Sequence, residues 1–218
     1  MFILSILSYF FFFILIDYIL GKKIRGKYYF NHFINNIYIV YLTLPDVINT
    51  YTNFDKILDY PVNYEPALST IALHSYHIVN YYDRLRIIDW MHHILMVVFA
   101  VPVGISANSG SLLGHSLFYL TGLPGAIDYI LLFLAKNNYI ENLVEKKINS
   151  KINIWLRCPG CIAHSTICML SYFSNNINYT LYDKASIIFT SLLVFLNGIY
   201  FMKEVLVNYT LTRYQIKN

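Results

Sequence analysis

Met1 to Leu20 form an almost unbroken apolar run whose only charge is Asp17, and Lys22, Lys23, Arg25 and Lys27 follow at once. A helix needs about 20 apolar residues to cross a hydrocarbon core about 30 Å thick, so this segment is long enough to anchor the chain in a bilayer. A cleaved signal would carry its positive charge before the apolar stretch and a small-residue site after it; both are missing. Six further apolar stretches follow: Phe30 to Ile48, Pro66 to Tyr82, His92 to Ala107, Ser111 to Ala135, Cys158 to Phe173 and Ala185 to Leu206. Seven crossings take up roughly 140 residues, which excludes a soluble domain beside them in a chain of 218. Composition agrees, with 57% apolar and 13% charged side chains against the roughly 25% charged of a soluble domain.

Orientation follows from the loops, because the distribution of Lys and Arg sets topology. With the N-terminus lumenal, the cytosolic segments hold Lys22, Lys23, Arg25, Lys27, Arg84, Arg86, Lys136, Lys146, Lys147, Lys151, Arg157, Arg213 and Lys217, against Lys56 and Lys184 on the other side. Thirteen against two requires the second stretch to cross despite Asn35, Asn36, Pro45 and Asp46 within it. The fold class read from these patterns is all-α, a polytopic membrane bundle of about seven helices. It divides into an N-terminal anchor and basic loop (1–29), a transmembrane domain (30–207) and a cytosolic tail (208–218). The sequon Asn178-Tyr179-Thr180 then falls on the lumenal side and Asn208-Tyr209-Thr210 on the cytosolic side. The expected residence is the endoplasmic reticulum or a related endomembrane, with no nucleic-acid partner.

Ionisable residues inside spans are costly and usually face a bundle interior or an aqueous cavity. At a rise of about 1.5 Å per residue, His74, His77, Asp128 and His164 lie roughly 8 to 12 Å from the cytosolic face, and His92-His93 opens the fourth span from that face. Four spans therefore bring polar groups to one level, with a cavity expected in the cytosolic half. His32 and His115 are expected outside this group. The bland reading of any one of these histidines is a hydrogen bond to a neighbouring helix. The adjacent pair diverges by about 100°, so one ring can point inward and the other to a neighbour or the interface.

Gly122-Leu123-Pro124-Gly125 interrupts the fifth stretch just before Asp128. Proline removes a backbone donor, so a kink or opening is expected, lining a pocket in one reading and permitting close helix packing in the other. Cys158-Pro159-Gly160-Cys161 has thioredoxin spacing but no βαβ context and reads as a helix start. The loop from Lys136 to Arg157 is a surface loop, or a basic rim near anionic head groups or an acyl-CoA.

Membrane di-iron enzymes need more histidine boxes than one HxxH and one HH. A zinc hydrolase is an alternative, with His74, His77, His93 and Asp128 as its ligand set. Acid–base chemistry needs fewer groups: a neutral histidine held by a carboxylate can take a proton from a nucleophile and return it to a leaving group, and His93 with Asp128 suffices, with no cofactor or metal.

The order Leu73-His74-Ser75-Tyr76-His77, a short loop, then Asp89-Trp90-Met91-His92-His93-Ile94-Leu95 resembles the core of the TLC-domain superfamily, which contains the ceramide synthases and non-synthase relatives. The resemblance covers roughly Phe30 to Leu206. It implies a TLC-like bundle and a role in lipid metabolism, with an acyltransferase-like activity on a membrane lipid such as a sphingolipid, an acyl-CoA partner, and His92, His93 and Asp128 as catalytic residues. His74, His77, His164 and Lys136 would bind substrate. The stretch Gly125 to Lys136 lacks the His-Asp pair of the synthases' second motif and keeps only Asp128 and Lys136 as counterparts. A relative that acts on, carries or senses a lipid fits better than a ceramide synthase proper, and a non-catalytic regulator of membrane composition is the alternative. A channel or transporter ranks last, because the lumenal half offers only His115.

Overall fold

A computed structural model of the chain describes residues 2–107, 109–174 and 180–217. Among these there is no strand, and the backbone forms seven continuous helical rods. They are α1 (Phe2–Leu20), α2 (Lys27–Thr52), α3 (Glu65–Asn80), α4 (Ile87–Ser106), α5 (Leu112–Lys136), α6 (142–174) and α7 (Leu181–Lys217). Four of them, α1, α4, α5 and the Leu181–Gln215 part of α7, are long and apolar enough to cross a membrane. Asn178 and Tyr179 of the first sequon lie outside the described residues.

The other three rods fall short of that measure, and for α2 the reason is visible in its packing. Asn31, His32, Asn35, Asn36 and Asp46 of α2 are all buried between α1, α3 and α5. The Asn31 amide donates to the Phe13 carbonyl at 3.3 Å and Thr121 donates to Asn36 Oδ1 at 2.9 Å. Of the polar residues that count against the second stretch as a span, Asn36 is bonded to a neighbouring helix through its Oδ1, whereas Asn35 Oδ1 is buried without a partner among the described residues. Buried polar groups need such partners.

The lone charge of α1 is accounted for in the same way. Asp17 accepts a 2.8 Å hydrogen bond from Tyr81 and lies 3.7 Å from the Lys27 ammonium. Phe13, Ala72, Leu73 and Tyr76 form the buried seam between α1 and α3. A second cluster, Ile39, Ala67, Val101, Leu113 and Leu117, ties α2 to α3, α4 and α5.

Three rods contain a π-helical stretch: Leu95–Ala100 in α4, Phe118–Gly122 in α5 and Asn153–Arg157 in α6. Each is followed by α-helix with proline at its second position, Pro102, Pro124 and Pro159. Proline leaves the carbonyl four residues back without its donor and crowds it with the ring. Those carbonyls belong to Val98, Leu120 and Trp155, inside the three widened stretches, and a wider turn relieves the clash without breaking the rod. The expected opening at Gly122-Leu123-Pro124-Gly125 is therefore a π turn in a continuous helix. Its glycines serve close packing: a side chain on Gly122 would meet Ile39 and Val40 of α2, and one on Gly125 would meet Asn36. Proline alone is not sufficient, since Pro45 sits in unbroken α-helix.

Cys158-Pro159-Gly160-Cys161 opens the α-helical part of α6, directly after the π-helical stretch of the same continuous rod. The segment expected as a surface loop is largely helical from Asn142 onward. All three cysteines are free and buried, and Cys161 packs against Gly198 of α7.

Candidate functional site

The first turn of α4 places the histidine doublet. Arg86, in extended conformation, precedes the helix and Asp89 is its third residue; the Asp89 carboxylate accepts from the Arg86 backbone N–H at 3.0 Å and from its guanidinium at 3.0 and 3.1 Å. This satisfies one of the orphan donors at the helix start and sets His92 and His93 one turn further on. His93 is buried and His92 is exposed, as the angular divergence of adjacent helical residues requires.

Both rings nonetheless meet His74 of α3, with centroids 5.2 Å (His92) and 5.1 Å (His93) away. His74 Nε2 and His92 Nε2 are 3.3 Å apart. The other nitrogen of His74, Nδ1, lies 2.8 Å from the Thr70 carbonyl. A carbonyl only accepts, so Nδ1 carries the proton and Nε2 presents its lone pair. His77 packs 5.5 Å from His93 and 4.6 Å from His32. His32 in turn lies on Tyr129 of α5. Five histidines from α2, α3 and α4 thus form one contiguous group. His77 Nε2 and His93 Nδ1 are buried with no hydrogen-bond partner.

His32, His74 and His92 line a cavity of about 190 Å³ that also touches Asp128, Arg157 and His164. Its walls come from α2 through α7 and are mostly apolar away from these residues, with Leu95, Val101, Leu113, Leu117 and Val194 among them. All three π-helical stretches contribute to the lining. Along α5 the lining runs from Leu112 to Tyr129, about 25 Å at the helical rise. The shape is a long apolar slot, with His32, His74, His92, Asp128 and Arg157 at its Tyr129 end. A depression of about 520 Å³ over the 138–143 turn is an open surface notch with no histidine in its lining.

Arg157 is buried, donates to Asn153 at 3.1 Å and lies 5.5 Å over the Phe201 ring. Its Nε and the Asp128 Oδ1 are both buried without partners. Arg157, expected at the end of a surface loop, lies inside α6. The signal that could have found it is Pro159, which marks the π-helical stretch Asn153–Arg157 as part of a continuous helix.

Several expectations are corrected. His32, expected outside the cluster, is part of it. His164 lines the cavity, but its ring partner is His115, at 3.1 Å between the two Nδ1 atoms; both are buried, so His115 is not an isolated residue either. Asp128 makes no hydrogen bond or ion pair with His93, and among the described residues no carboxylate lies within ion-pairing distance of any histidine ring. The zinc set read from the sequence is not assembled: the three rings that converge are His74, His92 and His93, without His77 and Asp128. Lys136 is exposed at the end of α5 beside Gly26 and does not line the cavity. No protein-family model, curated protein or solved structure matches the chain.

Proposed function

We propose that the protein is a multi-pass membrane protein with a TLC-like seven-helix bundle that takes the chain of a membrane lipid into the slot and acts on it with the histidine group. The observation that carries this reading is the imidazole pair His74 and His92, 3.3 Å apart at one end of a cavity apolar along most of its length. Ligand sites combine apolar walls with a few convergent polar groups. The seven rods and the thirteen-to-two charge bias support seven crossings with the N-terminus lumenal, a topology in which the histidine end of the slot would face the cytosol; the proposed membrane is the endoplasmic reticulum or a related one.

The chemistry open to this group is acyl transfer. His92 or His93 removes a proton from an amine or hydroxyl nucleophile, the new C–N or C–O bond forms, the C–S bond of an acyl-CoA breaks, and the proton goes to the departing thiolate. Arg157, buried beside the slot, would pair with a phosphate of the donor or of a head group. Lipid binding without turnover is the second reading, favoured by the missing carboxylate partner on every ring.

Untargeted lipidomics of cells expressing the wild-type chain or His92→Ala tests this. The wild type is expected to change one lipid species, and the variant to restore the level of cells without the protein. Lipid that co-purifies with an unchanged profile supports the second reading. No change and no bound lipid overturns both.

A further inference from the structure

We infer that His74, His92 and His93 form a binding site for a transition-metal dication, zinc by preference, with an open coordination position facing the slot. A ring nitrogen of each lies within 4.8 Å of the other two. Two nitrogens bound at about 2.0–2.1 Å to a tetrahedral zinc are roughly 3.3 Å apart, and His74 Nε2 and His92 Nε2 are 3.3 Å apart. A nitrogen of the third ring, His93, lies within 4.8 Å of both.

The protonation pattern points the same way. The Thr70 carbonyl holds the proton on His74 Nδ1, so the ring offers a lone pair at Nε2, the arrangement in which a backbone carbonyl orients a metal-bound histidine. His93 Nδ1 is buried without any hydrogen-bond partner, and an unmet buried polar atom is costly. A cation bound through His93 Nδ1 would satisfy a nitrogen that has no hydrogen-bond partner among the described residues. An all-imidazole set suits zinc, copper, iron or nickel better than magnesium or calcium. His74 and His92 line the slot, so the fourth position is open to a water or a substrate oxygen, as in catalytic zinc sites.

This inference deepens the lipid reading by changing the role of the rings. With the ion bound, His92 is a ligand, and a water on the ion, acidified toward neutral pH, supplies the base. The site itself does not depend on lipid turnover, so the two can fail separately.

The test is metal content of the full-length, untagged chain purified in detergent from zinc-supplemented cells. About one zinc per chain is expected, falling at least fivefold in His74→Ala and in His92→Ala and unchanged in Lys136→Ala. Because a histidine variant can fail to fold, wild-type protein stripped with a chelator is also titrated with Co²⁺, where the visible bands of a four-coordinate ion are expected to saturate at one equivalent. Wild-type protein that holds neither ion stoichiometrically, or folded variants that keep full content, overturn the site. One zinc per chain together with an unchanged lipid profile keeps the site and sinks lipid turnover. A changed lipid profile in metal-free protein sinks the site and leaves acid–base action by the rings.

Discussion

The imidazole of His32 lies flat on the phenol ring of Tyr129, with centroids 3.9 Å and planes 6° apart. This stack joins α2 to α5 and fixes one wall of the slot at the end where His74 and His92 meet. It explains why a histidine from the second helix belongs to the group although its position in the chain placed it near the first basic loop.

Tyr129→Ala removes the stack and leaves a void beside His32. A loss of about 1–3 kcal/mol is expected from truncating this half-buried aromatic ring, whereas Tyr129→Phe keeps the ring and costs less than about 1 kcal/mol. Unfolding in detergent, followed by circular dichroism, separates the two. Equal losses would mean that the hydroxyl, not the ring, does the holding.

Glycines on the helix crossings differ in how much room they leave. A β-carbon on Gly160 of α6 would fall on the Tyr119 ring of α5, whereas one on Gly104 of α4 would be 3.5 Å from Leu113, an ordinary contact. Gly160→Ala is expected to destabilise by about 1–3 kcal/mol through overpacking. Gly104→Ala should be neutral or stabilising by up to about 1 kcal/mol, because alanine is the better helix former. Thermal midpoints of the two variants check the contrast, and a destabilised Gly104→Ala with an unaffected Gly160→Ala would reverse it.

His115 and His164 satisfy each other across α5 and α6, their Nδ1 atoms 3.1 Å apart. Replacing one by leucine strands the other ring nitrogen, at a cost of about 1–3 kcal/mol. The double leucine variant strands nothing, so its loss should be smaller than the sum of the single losses. Strict additivity in a double-mutant cycle would deny that the two rings interact.

Glu145 is buried at the start of α6, with the Lys146 ammonium 3.6 Å away. Burial raises its carboxyl above the ordinary 4.5, opposed by Lys146 and Asn149. A folded value above the unfolded one means that folding favours the neutral form. The charged carboxylate therefore weighs against the fold at neutral pH, and this penalty fades as the pH falls through the raised value toward 4.5. Glu145→Gln is expected to be the more stable protein at pH 7, with the difference vanishing at and below pH 4.5. Matching melting curves at every pH would show that the lysine contact offsets the burial.

Much of this protein is legible along the chain. Among the described residues each apolar stretch coincides with a rod, to within two residues at the ends where it overruns, the basic residues punctuate them, and Pro102, Pro124 and Pro159 mark where the helices widen. These features are local: a helix needs only its own hydrogen bonds and side chains, and a proline acts on the carbonyl four residues before it. The level of His74, His92 and Asp128 also follows from the constant rise of a helix. What the chain alone leaves undetermined is which way each rod is turned and which rod it touches. His32 reaches Tyr129 because α2 is wedged between α1, α3 and α5, and His164 finds His115 because α6 packs against α5. That placement depends on side-chain fit across crossings such as Gly125 on Asn36 and Gly160 on Tyr119. Rise along an axis is a property of one helix, whereas rotation about it is settled only by the neighbours it packs against.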